Sequence, residues 1–216
     1  MTEEEIQFIA NKVMQSLQEG RLNREEEIPK VSLEQKHIQN CELLLNRETL
    51  LKKMPKESIV GEIGVDEGAF SRSIYNEVKP EKLHLIDIWS TDRYHDGKFQ
   101  MVQQSFSSEI ENGMVQIHRK LSTEAVDDFN DNYFGWIYVD TDHSYETTRD
   151  ELKLYAPKLK EGGIIAGHDY EKGNWITTYR YGVIEAVHEF CVNNNWELLY
   201  LTAEPTENKS FAIRKI

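Results

Sequence analysis

The sequence predicts a doubly wound α/β domain, built on a mostly parallel sheet of seven strands and preceded by a helical N-terminal extension. Three observations carry this. At 216 residues and 39% hydrophobic, the chain is long enough for one substantial core. From Ser58 onward, short β-branched runs alternate with helical patterns, which calls for right-handed crossovers between parallel strands. The first of these runs opens into a loop with two glycines, and two later runs end in carboxylates. In open α/β sheets ligands bind beyond the carboxyl ends of the strands.

The elements follow in order. Ile6, Ile9, Val13 and Leu17 share one helical face, with Gly20 as the expected stop. After a polar stretch from Arg21 to Pro29, Ser32-Leu33-Glu34-Gln35 reads as a capping box opening a second helix through Ile38, Cys41 and Leu45. Residues 1–55 are therefore expected to form the extension, covering the ligand cleft or mediating dimerisation, and residues 56–216 the main domain. The strand runs are Ser58 to Ile63, Leu83 to Ile86, Met114 to Ile117, Trp136 to Val139, Gly163 to Ala166, Trp196 to Leu201 and Phe211 to Arg214. Helices are expected over Ala69 to Glu77, Phe99 to Glu111, Thr123 to Phe129 and Tyr145 to Tyr155, with a last one beyond Tyr181. The short link between the last two strands predicts an antiparallel pair at the sheet edge.

Thirty-eight acidic against 25 basic residues give a net charge of -13, which disfavours nucleic acid and anionic membrane as partners. The acidic start, the lack of a long apolar run and two widely separated cysteines, Cys41 and Cys191, fit a reducing, cytoplasmic setting.

Gly64 and Gly68 let the chain turn sharply and bring its backbone against a ligand. Glu62 ends the preceding strand, where a carboxylate can accept from a cationic or hydroxyl-bearing ligand. The pattern Glu62-x-Gly64-x-x-x-Gly68 resembles the first motif of class I S-adenosylmethionine-dependent methyltransferases and departs from the dinucleotide fingerprint Gly-x-Gly-x-x-Gly. That resemblance implies a Rossmann-like methyltransferase fold and S-adenosylmethionine as cofactor. Asp87, ending the second strand, is placed to accept both ribose hydroxyls. Trp89 lines the adenosine pocket or joins the core. The resemblance also implies that Ser122, after the third strand, contacts adenine, with a helix N-cap as the other reading.

Two segments carry the chemistry: Asp140-Thr141-Asp142-His143-Ser144-Tyr145 and Gly167-His168-Asp169-Tyr170. Neighbouring parallel strands lie about 4.8 Å apart, so their ends can bring Asp140, His168 and Asp169 to one point. Two carboxylates and an imidazole suit magnesium or manganese better than zinc. The same segments, with Pro157, Leu159 and Gly162-Gly163 between them, resemble metal-dependent O-methyltransferases, the macrocin and mycinamicin sugar type more closely than the catechol type. The resemblance implies that Asp140 binds the metal beside the cofactor and that His143 acts as base. His168 departs from the family pattern, which leaves it as a metal ligand, a neighbour of one or a substrate contact, while Asp142 stands at the cofactor mouth or, as the preferred reading, caps the helix that starts near Tyr145.

This grouping suits methyl transfer to oxygen, because a metal acidifies a bound hydroxyl and an imidazole of pKa about 6.5 can take its proton. The expected activity is O-methylation of a small molecule with vicinal hydroxyls, a sugar-containing one preferred, and a homo-oligomer is compatible with it. Two other readings stand beside it: a nicotinamide-dinucleotide oxidoreductase, and a non-catalytic or hydroxylase-like relative that kept the fold.

Overall fold

The computed structural model describes residues 1–216 apart from Trp175, Thr178, Pro205 and Thr206, and the side chain of Arg24. Eight strands, one more than expected, form a single sheet: β1 (Glu42–Leu44), β2 (Ile59–Ile63), β3 (Lys82–Asp87), β4 (Val115–Arg119), β5 (Phe134–Val139), β6 (Leu159–Gly167), β7 (Trp196–Thr202) and β8 (Phe211–Lys215). Their order is β1-β7-β8-β6-β5-β2-β3-β4, and β8 runs antiparallel to both neighbours while every other pair is parallel. The order reverses beside β2, so the crevice between the ends of β2 and β5 is where a ligand fits.

Helices α1 (Glu3–Glu27), α2 (Arg47–Lys53), α3 (Ala69–Val78), α4 (Asp96–Ser105), α5 (Ser107–Glu111), α6 (Ser122–Ala125), α7 (Tyr145–Tyr155) and α8 (Val183–Asn194) complete the chain. Alternation along the strands divides the core between the two faces. Ile63, Ile86, Ile137 and Val139 pack with Leu152, Tyr155 and Val187, whereas Val60, Leu83, Leu85 and Tyr138 pack with Leu50, Leu51 and Ile74.

The N-terminal region departs from the expected pair of helices. The helix predicted through Ile38, Cys41 and Leu45 is instead one 3-10 turn, Gln35–His37, followed by β1. Glu34 rather than Ser32 caps that turn, and the Nδ1 of His37 accepts from the Glu34 N–H at 2.9 Å. β1 pairs Leu43 with Leu201 and Leu44 with Thr202, and so lies outside the antiparallel β7–β8 pair that was expected at the edge. Tertiary pairing outweighs the helical spacing here. α2, capped by Asn46 accepting from Thr49 N–H at 2.9 Å, buries Leu50 and Leu51 against the same sheet.

α1 also differs, because it continues through Gly20 to Glu27. Its apolar residues Ile6, Phe8, Ile9, Val13, Met14 and Leu17 are all at least half exposed. At its far end Glu25 accepts from Nε of Arg180 at 2.6 Å, which ties the helix to the segment before α8. The helix predicted over Phe99 to Glu111 begins three residues earlier and is divided at Phe106 into α4 and α5. No helix among the described residues is long and apolar enough to cross a membrane.

Candidate active site

The β2–α3 loop is shaped by its contacts with the neighbouring strand ends. Gly64 adopts φ +87°, and a Cβ there would lie 1.8 Å from the carbonyl oxygen of Asp140. Glycine is therefore required where β2 and β5 diverge. Gly68, at φ +82°, is the N-cap of α3, and a Cβ there would lie 3.1 Å from the Val102 side chain. Asp87 closes the loop from the other side. Its Oδ2 accepts from the N–H groups of Val65 and Asp66 at 2.9 and 3.0 Å, and its Oδ1 accepts from Trp89 N–H at 3.1 Å. The carboxylate expected at the ribose is thus fixed by three backbone donors, with lone pairs left over for hydroxyls.

Trp89 belongs to the core, where its Nε1 donates to the carbonyl of Asp66 at 2.8 Å and its ring packs on Phe99. Glu62 is buried at the end of β2, with one carboxyl oxygen unpaired. Burial pushes its pKa up to about 8, eased by the Ser71 hydroxyl and reinforced by Asp140. Ser122 is the first residue of α6 rather than its cap, which is Leu121. The Ser122 carbonyl accepts from the Tyr155 hydroxyl at 2.9 Å.

Asp140, His143, His168 and Asp169 come together at the ends of β5 and β6. His143 Nδ1 lies 2.8 Å from Asp169 Oδ2 and 3.9 Å from Asp140 Oδ1; His168 Nδ1 lies 3.4 Å from Asp169 Oδ2 and 3.6 Å from Asp140 Oδ2. His143 and Asp169 both hold positive φ, 63° and 56°, a strained backbone for residues other than glycine. Asp140, His143 and Asp169 each present a ligand atom within 4.8 Å of the other two, so the grouping fits a divalent cation, with His143 in the place expected for His168. His168 faces the same carboxylates through Nδ1, while its Nε2 is buried without a partner.

The electrostatics of the cluster are reciprocal. Burial raises Asp140, with His168 opposing and Asp169 adding to the rise. Burial would raise Asp169 too, but the two imidazoles outweigh it and hold this carboxylate well below the usual range. Both histidines are pulled down by burial and raised more strongly by Asp169 and Asp140. Asn208, from the β7–β8 connection, donates to Asp169 Oδ1, and Tyr181 packs on the His143 ring at 4.8 Å. Asp142 is not the cap of α7, a position that Ser144 takes by accepting from Thr147 N–H; Asp142 supports that turn instead, accepting from Ser144 N–H at 2.9 Å and from the Thr147 hydroxyl at 3.0 Å.

Sequence reasoning missed two residues. Arg47, from α2, reaches across with Nη1 at 3.9 Å from Asp140 and Nη2 at 3.6 Å from Glu207, its guanidinium 4.1 Å above the Phe70 ring. Glu151, fully buried on α7, accepts from the Thr141 hydroxyl at 2.9 Å. Burial lifts its pKa to about 7, with Ser122 and Thr141 moderating the rise. Its position was legible, since Thr148, Glu151, Leu152 and Tyr155 trace one inward helical face. Two loops flank the site: Thr91 to Lys98 brings Tyr94 toward Asp66 and Asp140, and Glu171 to Tyr181 brings Tyr181 to Asp169. Trp175 lies outside the described residues.

No curated protein matches the sequence. Solved structures share the fold at low identity. A tRNA methyltransferase of B. subtilis is 13% identical, with 80% of this chain and 67% of that one covered at a TM-score of 0.56. An rRNA methylase of Streptococcus thermophilus is 13% identical, with 78% and 93% covered at 0.56. A Streptococcus mutans protein described as a methyltransferase, in complex with SAH, is 13% identical, with 80% and 100% covered at 0.58. A family model for a methyltransferase domain matches residues 62–170, just over half of the chain and the stretch that runs from Glu62 through Asp169. The chain therefore belongs to this methyltransferase-domain family, a family of class I S-adenosylmethionine-dependent enzymes.

Proposed function

We propose that the protein is a divalent-metal-dependent O-methyltransferase that acts on a small molecule with adjacent hydroxyls, preferably a sugar-containing one. The observation that carries this reading is the convergence of Asp140, His143, His168 and Asp169 beside the glycine loop. Asp140 and Asp169 supply hard oxygen donors and one of the histidines a nitrogen, a donor set that suits magnesium or manganese. The bound cation would lower the pKa of a coordinated hydroxyl. His143 takes the acceptor's proton. Asp169 holds its Nδ1, which leaves Nε2 as the atom free to accept, a step typically worth about 10²–10⁴-fold.

The mouth of the site supports a cationic methyl donor. Asp66, Asp87 and Asp140 surround the loop, and such a rim favours a sulfonium and repels the pyrophosphate of a dinucleotide. Gly64 to Gly68 and Asp87 hold the ribose side, and Ser122 faces adenine. Two of the structural neighbours act on RNA, but a net charge of -13 opposes a polyanionic acceptor.

The test is methyl transfer from S-adenosylmethionine to a panel of vicinal-diol acceptors, before and after exhaustive chelation. Activity should vanish on chelation and return with magnesium or manganese, and Asp140→Ala should be inactive, with magnesium affinity lowered at least about tenfold. His143→Ala should lose activity while keeping the metal if the imidazole is the base, and should lose both if it is a ligand. Transfer that survives complete metal removal would refute the metal assignment.

A further inference from the structure

Arg47 is the feature that the reading above leaves unused. It lies outside the family-matched stretch, yet α2 lays it over the entrance to the cofactor loop. Its guanidinium stacks on Phe70, the second residue of α3, and faces Asp140 at 3.9 Å and Glu207 at 3.6 Å. Both carboxylate contacts exceed hydrogen-bonding distance, and the buried Tyr138 hydroxyl is the side chain that hydrogen-bonds the guanidinium, so the planar fork is held in position without a tight bidentate carboxylate. Glu207 is an exposed side chain, tethered through the β7–β8 connection at a distance where a carboxylate only partly satisfies the guanidinium.

The rest of the entrance is acidic: Asp140 lies on one side, Asp66 and Asp87 on the other, while the buried Glu62 beneath them holds its proton at neutral pH. Lys98 is committed to Asp66 at the outer end of the loop. A methyl donor that spans this crevice places adenine by Ser122, ribose by Asp87 and its sulfonium toward Asp140. Its methionyl end, which carries a carboxylate, then projects past Gly64 to Arg47. A carboxylate brought among these acids needs a cation, and Arg47 stands at that end.

We propose that Arg47 is the carboxylate clamp of the cofactor site, binding the methionyl carboxylate of S-adenosylmethionine through its guanidinium, with Glu207 as the side chain that yields this position when the cofactor enters. This rests on the cofactor reading above and is independent of the metal and of the acceptor.

Calorimetric titration with S-adenosylhomocysteine, which has the carboxylate, and with 5′-methylthioadenosine, which lacks the whole amino-acid end, separates the contributions. Arg47→Met should weaken S-adenosylhomocysteine by roughly 10–100-fold, the range expected for charge-assisted hydrogen bonds, and leave methylthioadenosine within about threefold. Arg47→Lys should recover part of the loss, because charge is kept but the fork is not. Glu207→Gln should bind S-adenosylhomocysteine at least as tightly as the unaltered protein. Retained methylthioadenosine binding shows that the Arg47→Met pocket is folded. Unchanged S-adenosylhomocysteine affinity, an equal loss for both ligands, or a change only in acceptor KM overturns the assignment, the last pointing to an anionic acceptor. An unaltered protein that binds neither nucleoside overturns the cofactor reading and this inference with it.

Discussion

Individual residues show how little freedom the site allows. Gly64 meets the Asp140 carbonyl so closely that any side chain must push the ends of β2 and β5 apart, and its positive φ adds backbone strain. Gly64→Ala is expected to cost ~3 kcal/mol or more in chemical denaturation and to abolish S-adenosylhomocysteine binding in calorimetry. The side chains with obvious chemistry were legible in the sequence because each sits at the end of a recognisable strand: Glu62, Asp87, Asp140 and Asp169. Gly64 and Gly68 were legible for a related reason, that only such a loop needs two glycines there. Arg47 was not legible, since nothing in Arg47-Glu48-Thr49-Leu50 signals a partner 93 residues away at Asp140. Glu151 could have been found by treating a charged residue on an inward helical face as a signal.

Secondary-structure elements divide along similar lines. The parallel strands and α7 follow their sequence pattern, because each is buried on a predictable face and α7 has a serine cap. The N-terminal elements do not. Ile38, Cys41 and Leu45 keep a helical spacing, but β7 offers unpaired backbone groups, and Asn40 donates to Glu197 at 2.7 Å, so the chain pairs as a strand. Gly20 fails to stop α1 because a Schellman-type end needs a left-handed glycine that packing holds in place, and nothing lies within 4 Å of where its Cβ would be. The apolar residues of α1 before Gly20 are at least half exposed, so deleting residues 1–20 should shift unfolding free energy by less than about 0.5 kcal/mol. A denaturation curve checks this. A loss of several kcal/mol would mean that a second copy covers the stripe in solution.

Two buried groups give the whole molecule opposing pH responses. Glu62 titrates near 8 in the fold against an ordinary value of 4.5, so the folded chain holds a proton that the unfolded chain releases between those limits. Its contribution is complete below pH 4.5 and declines as pH rises toward 8. His84 works the other way. In the chain Tyr133–His84–His118–Asp128 its Nδ1 lies 2.9 Å from His118 and its Nε2 lies 3.0 Å from the Tyr133 hydroxyl, and burial depresses its pKa to about 3. The unfolded histidine takes up a proton below about 6.5, so stability is lost as pH falls from there. Glu62→Gln should therefore flatten the alkaline limb, by on the order of 5 kcal/mol between pH 4.5 and 8, and leave the acid limb intact. Thermal melts across pH test this, and an unchanged alkaline slope would locate the proton elsewhere.

The strand that pairs with β7 has a consequence for how such a protein can diverge. β1 carries no chemistry, yet it anchors α2 and so decides where Arg47 stands, while the β7–β8 connection supplies Glu207 and Asn208. The methyl-transfer machinery lies in the middle of the chain, and the groups that surround it are delivered from both ends. Lengthening or shortening either end by a residue would swing these side chains across the entrance without disturbing the strands that hold Asp140 and Asp169. Ligand preference can thus drift by small insertions at the termini, a route that is closed to substitutions within the glycine loop.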